Sequence, residues 1–536
     1  MIEIKNYAGL IRNHAQLASE LGICTNGMSK DERERALIVA AYEAWGTNMG
    51  THINGQFGIA LYDTERKQTF CTRDVLGAEL FFYYLCEDGS LLCGNDIKEL
   101  FKQPGFCKEL NTDMLQFYLG FTYLPGEETL FKGVMKLAPG GYLLHDATGI
   151  QMGTYWELSF EPDETKTLDQ WADDIYEAMG KSFEDIIDPD QSPDSFLSGG
   201  VDSSFILARS NAKTGYCAAY ENQQASEESE ARATAQLLGR NFEAITVSPE
   251  EFLANVDEFL LAYEIPTADV AGLSLYCAAK RLVGTSEVCF SGEGADEFFA
   301  GYSVYRAKPW WRKLLEPHYY GTTYIMNEHE QQRFVKCYNP NKTTTRFIEE
   351  RIAPIQGKGY DELASKLYTD MRTYFEGSIL YNSTKISRGT GLDIRMPFCD
   401  LRVFDIARRL PSRFKYTTEG NKIALRAAAS KLLPAEIAYR KKLGFPVPVR
   451  AWLQRPEFHS EIHRALTSAC AQKFFNNAEL EALLDAFEGR QPKIHRLWYK
   501  RHESLLWRYV WTLYTFVRWY ELFFEDALNT NTGTEK

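Results

Sequence analysis

Residues 194–211 read Asp-Ser-Phe-Leu-Ser-Gly-Gly-Val-Asp-Ser-Ser-Phe-Ile-Leu-Ala-Arg-Ser-Asn, a short apolar strand running through a Gly-Gly loop directly into a helical pattern. A strand that passes to a helix through two glycines opens a βαβ unit, and such units assemble parallel sheets covered by helices on both faces. The apolar run Tyr216–Tyr220, the helical stretch Glu227–Leu238 and the strand pattern Glu243–Val247 continue the alternation, and Glu287–Phe290 adds another short apolar strand. The expected core is an α/β, doubly wound parallel sheet.

That sheet does not account for the whole chain. With 536 residues there is material for two full-sized cores. Up to about Phe160 the pattern consists of short alternating runs separated by turn residues: Gly55–Asp63, Lys67–Asp74, Glu79–Gly94 and Gly140–Met152, with helical stretches at Lys30–Trp45 and Thr112–Tyr118. These predict an α+β domain over residues 1–160. Residues 161–169 begin with the acidic, proline-containing Glu161–Thr167 and read as a linker. The second domain, 170–530, opens with Trp171, Ile175, Met179, Phe183 and Ile187 at helical spacing and is mostly helical after Ala307.

Charge and cysteine usage narrow the partners. Fifty-nine Lys and Arg against seventy-three Asp and Glu leave a net charge of −14, which provides no general field for nucleic acid. Eleven scattered cysteines without a Cys-X-X-Cys pair are expected as buried, reduced thiols. The most apolar stretch, Leu505–Phe524, is interrupted by Arg508, Arg518 and Glu521, so it is expected to be a core helix and not a membrane span. Residues 1–10 carry no apolar signal-peptide segment. The expectation is a cytoplasmic protein with no membrane and no nucleic-acid partner.

Three motifs carry chemistry. In Ser198–Ser204 the glycines let backbone N–H groups turn inward, and hydroxyls plus a helix N-terminus add donors, which equips the loop for phosphate. Asp202 inside such a loop would repel phosphate unless a cation intervenes, so it reads as a Mg2+ ligand. Ser291-Gly-Glu-Gly-Ala-Asp-Glu297 repeats the strand-to-helix glycine loop with three carboxylates. Both loops would lie at the carboxyl ends of parallel strands, where open α/β sheets bind ligands, with Asp202 and Asp296 sharing the metal. Arg440–Pro448 places cations beside a Gly-Phe-Pro turn, where a lysine can neutralise charge on a reacting phosphorus.

Together these motifs resemble a known family. Ser198–Ser204 is similar to the pyrophosphate loop of N-type ATP pyrophosphatases. Ser291–Glu297 followed by Phe298-Phe-Ala-Gly-Tyr302, Leu392–Asp400, and the run from Lys422 through Leu425-Arg426 to Leu443-Gly444-Phe445-Pro446 resemble asparagine synthetases. Gly55–Asp63, Arg73–Gly77 and Leu137–Tyr142 extend the likeness into the N-terminal part. The resemblance implies an Ntn-hydrolase-like N-terminal sandwich and an adenine-nucleotide α-hydrolase-like synthetase domain. It implies that ATP is held by Leu197, Ser198, Gly199, Gly200, Asp202, Ser203, Ser204, Ala219, Ser291 and Gly292, with Mg2+ on Asp202 and Asp296. Lys442 would steady the adenylation transition state, and Glu293 would take the proton of the incoming nitrogen. Implied partners are a small carboxylate, aspartate or an analogue, and ammonia, with room for a separate ammonia-delivering or pathway protein and for a homodimer.

The chain also departs from the family. Glutaminase-active members begin Met-Cys-Gly, whereas this chain begins Met1-Ile2-Glu3. The Asn of the family's Asn-Gly-Glu-Ile-Tyr-Asn segment corresponds to Ala8, and the Ser-Asp-Thr-Glu segment to Arg33-Glu34-Arg35-Ala36. The expectation is a degenerate glutaminase domain without a nucleophile; Ala8 and Arg33–Ala36 would mark it as altered even with a start further upstream. Thr384–Gly389 and Ala300 also differ, at the rim of the acceptor pocket. The leading expectation is adenylation of a carboxylate and amide formation, asparagine from aspartate and ammonia. The alternative is a specialised ligase that forms a β-lactam, closes a lasso peptide or amidates a uronic acid.

Overall fold

The structure is a computed structural model that describes residues 1–188, 190–221, 227–307, 318–441 and 447–526. The N-terminal part contains β1 (Ile2–Ile11), β2 (Gly55–Asp63), β3 (Gln68–Arg73), β4 (Phe82–Leu85), β5 (Leu91–Gly94), β6 (Met135–Lys136), β7 (Gly141–Asp146) and β8 (Gly149–Thr154). They form an antiparallel sheet in the order β1-β2-β3-β7-β8 and a smaller one, β5-β4-β6.

The two-residue period of β2 explains the layering. Phe57, Ile59 and Leu61 face the helix Lys30–Trp45 through Leu37, Ile38, Ala41 and Tyr42. Ala60, on the opposite face, packs with Phe81 and Leu137 between the sheets. The helix itself starts at a Ser29–Glu32 capping box, in which each side chain meets the other's backbone N–H. The pairing of β1 with β2 depends on Gly9: at φ +140°, a Cβ there would lie 2.0 Å from the Gln56 carbonyl oxygen. The opening residues, which carry no signal segment and include Ala8 where the chain departs from the family, form this first strand.

The expected linker is docked against the helix Leu401–Arg409: the N–H groups of Glu161 and Asp163 donate to the carbonyls of Arg408 and Arg409 at 3.0 and 2.8 Å. The helix Leu168–Ile186 then starts at a Thr167–Gln170 capping box and buries Trp171, Ile175, Met179 and Phe183. Beyond it lie β9 (Asp194–Phe196), β10 (Thr214–Ala219), β11 (Asn241–Thr246), β12 (Val288–Phe290) and β13 (Asp393–Arg395). All pair in parallel, in the order β11-β10-β9-β12-β13. The sheet therefore grows outward in both directions from the β9/β12 pair, which is its topological switch point. The doubly wound α/β reading holds, followed by a helical C-terminal part.

The aromatic run near the C-terminus is the helix Leu506–Tyr520, buried at Tyr509, Trp511, Phe516 and Trp519. Arg518 is neutralised by Asp257, at 2.6 Å, and by Glu521. Among the described residues no helix is long and apolar enough to cross a membrane.

Buried charges tie the N-terminal part to the rest. Glu376, on the wide-turned helical segment Met371–Leu380, accepts from Arg73 Nη1 at 2.8 Å and from Lys136 Nζ at 2.9 Å. Glu264 caps the first turn at Ile97 and Lys98, whose N–H groups reach its carboxylate at 2.8 and 3.1 Å, and it also receives Lys385.

Candidate active site

The loops that follow β9 and β12 leave the carboxyl ends of two neighbouring parallel strands. They are in contact there: a Cβ added to Gly292 would stand 3.6 Å from the Cβ of Asp202. The two motifs that are remote in sequence share one edge of the sheet.

The first loop is folded by its own hydroxyls. Ser203 Oγ accepts from the Ser198 N–H at 3.0 Å and lies 3.1 Å from Ser198 Oγ, and Ser198 Oγ accepts from the Gly200 N–H at 3.2 Å. This curls the backbone around the start of the helix Val201–Arg209, whose first N–H groups lack intrahelical acceptors. Ser204 donates inward to the Gly200 carbonyl at 2.8 Å, so its hydroxyl serves the turn. Gly199 makes room for the neighbouring helix Glu228–Leu237, since a Cβ there would lie 2.9 Å from the Cβ of Glu230.

Asp202 and Asp296 converge on Lys422, a residue that stands in the sequence only as one member of a family run. Lys422 Nζ lies 2.6 Å from Asp202 Oδ2 and 2.6 Å from Asp296 Oδ1, with only 2% of its side chain exposed. Gly301 permits this approach: a Cβ there would lie 1.7 Å from Asp296 Oδ1 and 2.2 Å from Lys422 Cε. The preceding Ala300, where the family has glycine, adopts the left-handed conformation, at φ 59° and ψ 56°, a strain of about 1 kcal/mol for a residue with a Cβ. Arg426 fastens the adjoining segments by donating to the carbonyls of Asn421 and Ala438 at 2.8 and 2.7 Å.

A cavity of about 990 Å³ opens over this junction. Leu197, Ser198, Asp202 and Ser203 of the first loop line it, with Ser291, Gly292, Glu293 and Asp296 of the second. Gly199, Gly200, Ser204 and Ala219 lie behind the wall; Cys217 and Ala218 of β10 are presented in place of Ala219. Lys442 lies outside the described residues, while its neighbour Lys441 borders the cavity. Glu293 accepts a hydrogen bond from Ser291 Oγ, and its carbonyl receives the Cys399 thiol at 3.6 Å. Glu297 accepts from Tyr302 Oη at 2.6 Å; burial, reinforced by Asp296, pushes its carboxyl up to about 8.

A smaller cavity of about 300 Å³ lies in the N-terminal part, bordered by Tyr7, Ala8, Arg35, Asp96, Glu99 and Arg388, with Asn6 and Asn95. Of the altered segment Arg33–Ala36, only Arg35 faces it. Glu34 is turned inward as a strut, accepting from Tyr7 Oη at 2.8 Å and from the Ile11 N–H at 2.9 Å.

This arrangement coincides with a described family. The family model of asparagine synthase matches residues 174–521, and that of a glutamine amidotransferase domain matches residues 4–156. The chain belongs to the asparagine synthase family. It is similar to a putative glutamine-hydrolysing asparagine synthetase of Mycobacterium tuberculosis H37Rv, at 29% identity over 97% of this chain and 85% of that one. It is also similar to glutamine-hydrolysing asparagine synthetase 1 of Bacillus subtilis, at 29% over 84% of this chain and 76% of that one. A third relative is the amidase chry2 of Gibberella zeae, at 22% identity over 94% of this chain and 84% of that one. The family assignment supports a ligase that forms carbon–nitrogen bonds, with an N-terminal glutamine amidotransferase-type domain ahead of the parallel sheet.

Proposed function

We propose that this asparagine synthase family member adenylates a carboxylic acid with ATP and converts the adenylate to an amide. The acid's oxygen bonds to the α-phosphorus as pyrophosphate leaves; a nitrogen nucleophile then bonds to the acyl carbon as AMP leaves, giving up a proton. The observation that carries the reading is the meeting of two strand-end glycine loops at the Asp202–Lys422–Asp296 junction. The curled N–H groups of Ser198–Ser203 would hold phosphate oxygens, and the apolar edge at Leu197 would receive the adenosine. Glu293, on the cavity wall, would accept the proton of the nitrogen.

The donor set fits Mg2+: two carboxylates already gather around one cation, and nucleotide-bound Mg2+ needs only one or two protein carboxylates. Among the described residues no cluster of three or more metal-ligating side chains exists, so phosphate oxygens would complete the shell. Bound there, the ion would neutralise charge on the phosphates.

Aspartate with ammonia is the acceptor pair that the family implies. A specialised amide- or lactam-forming ligase is the second reading, supported by the likeness to the amidase chry2. In this reading the N-terminal domain, residues 1–160, is structural, and the work is done in the cytoplasm by 170–530. Glutamate release from glutamine is expected at the background rate, and release above it would sink that part of the reading.

The main test is ATP–pyrophosphate exchange across a panel of carboxylic acids, with dependence on Mg2+. Lys442→Ala is expected to lower exchange about a hundredfold with unchanged thermal stability, the usual loss for one charge-stabilising donor. Normal exchange in that variant would reject the role assigned to Lys442.

A further inference from the structure

Two of the eleven cysteines face each other inside the N-terminal part. Strand alternation sets Phe70 of β3 against the helix Lys30–Trp45, so its neighbour Cys71 points the other way, into the space between the two sheets. In β5, Leu92 belongs to the large core on the far side, and Cys93 therefore points back into that same space. Cys71 is fully buried and stands in register with Ala60 and Leu143 of the adjoining strands. Cys93, opposite Tyr83, is only part-buried. Both are free thiols, and Cys71 donates a hydrogen bond to the Cys93 sulfur. That bond pushes the Cys71 thiol up and holds the Cys93 thiol below its usual range, against the opposing effect of burial.

A pair placed in this way divides the work of thiol–disulfide exchange. The attacking thiol must be reachable and able to ionise, which fits Cys93; the resolving thiol needs only to touch it, which fits Cys71. Two cysteines acting merely as small apolar fillers would need neither the contact between sulfurs nor the exposure of one of them. The flanking chain gives a link between them something to hold. Two residues beyond Cys71, Arg73 is buried against Glu376; two residues beyond Cys93, Asn95 borders the smaller cavity.

We propose that Cys71 and Cys93 are a redox modification site that closes to an intramolecular disulfide and staples β3 to β5 across the two sheets. The oxidant is a small disulfide of the glutathione class. Cys93 attacks one of its sulfurs: the new S–S bond forms, the old one breaks, and one glutathione leaves with the proton that Cys93 gives up. Cys71 then attacks the Cys93 sulfur, and the second glutathione leaves with the proton of Cys71. Two protein thiols are oxidised, one glutathione disulfide is reduced to two thiols, and a dithiol reductant reverses the change.

The experiment treats the folded, reduced chain with glutathione disulfide near neutral pH and maps its peptides by mass spectrometry without reduction. The expected product is a Cys71–Cys93 cross-linked peptide, lighter by two hydrogens and reversed by dithiothreitol. It should exceed glutathionylated Cys93 by at least about tenfold, because the second step is intramolecular. In Cys71→Ser the glutathione is expected to stay on Cys93; in Cys93→Ser, Cys71 is expected to remain a thiol. The oxidised wild-type chain should unfold in urea with an equilibrium constant about a hundredfold smaller than the reduced chain, since a loop of about 20 residues is closed, and Cys71→Ser should show no such gain. Unlinked Cys71 and Cys93 in a chain whose exposed Cys24 and Cys107 carry glutathione would overturn the proposal. So would glutathione that persists on Cys93 of the wild-type chain, and an oxidised chain no more stable than the reduced one would overturn the staple. Should either serine variant fail to fold, the wild-type peptide map decides alone.

Discussion

Lys422→Met is expected to destabilise the protein by about 3–5 kcal/mol when no divalent cation is present, and added Mg2+ is expected to restore part of the loss. The lysine is buried between Asp202 and Asp296 at 2.6 Å from each. Removing one partner of a buried ion cluster leaves uncompensated charge in a poorly solvating place, which is why breaking such clusters costs several kcal/mol even where forming them contributes little. Methionine keeps the length of the stem and removes the charge. Urea unfolding with EDTA and then with Mg2+ measures both effects. A variant as stable as the wild-type chain in EDTA would show that the two carboxylates do not depend on the ammonium. A loss that Mg2+ leaves untouched would argue against the pair as a metal site.

The second large effect is expected where the N-terminal sheets meet the helical segment Met371–Leu380. Glu376→Ala should lower the unfolding free energy by about 3–5 kcal/mol, because Arg73 and Lys136 are both buried against that carboxylate. The two cations are not equally dependent on it. Arg73 keeps the carbonyls of Glu79, Leu137 and Gly77, at 2.6, 2.7 and 2.8 Å, whereas burial already pushes the Lys136 ammonium down. Adding Lys136→Met to Glu376→Leu should therefore recover most of the loss, and a double variant no better than Glu376→Ala would reject this account. The pair also fixes a pH sign. Burial opposes ionisation of Glu376, but Lys136 and Arg73 together hold its carboxyl below the usual range. Its contribution is complete above the ordinary carboxylate pKa and is lost as the pH falls through the depressed one.

Much of the fold was legible because its signals are local. The stripe Trp171, Ile175, Met179 and Phe183 predicted the helix that buries them, although its fifth member, Ile187, falls in extended backbone one residue past the helix end, and the alternation in Gly55–Asp63 predicted β2. The strand β1 was not read, since Ile2–Ile11 alternates weakly and its pairing depends on Gly9 approaching Gln56. The strand β13 was seen only as part of a family motif, because three residues, Asp393–Arg395, are too short for a period to show. At the site, the residues expected to touch phosphate divided into those that line the cavity and those that shape it. Ser204 and Gly199 belong to the second group, a distinction that rests on which way a hydroxyl turns and which helix lies behind a glycine.

The amino-acid sequence by itself determined the two glycine loops, their carboxylates and the strand-to-helix passages that carry them, because each is a property of adjacent residues. The tertiary structure alone decided that Lys422, 220 positions from Asp202, closes the charge between the loops, and that the Asn382 amide packs against Gly272. Such contacts follow from how whole elements pack, and a chain's local pattern holds no record of which distant helix will lie across from it.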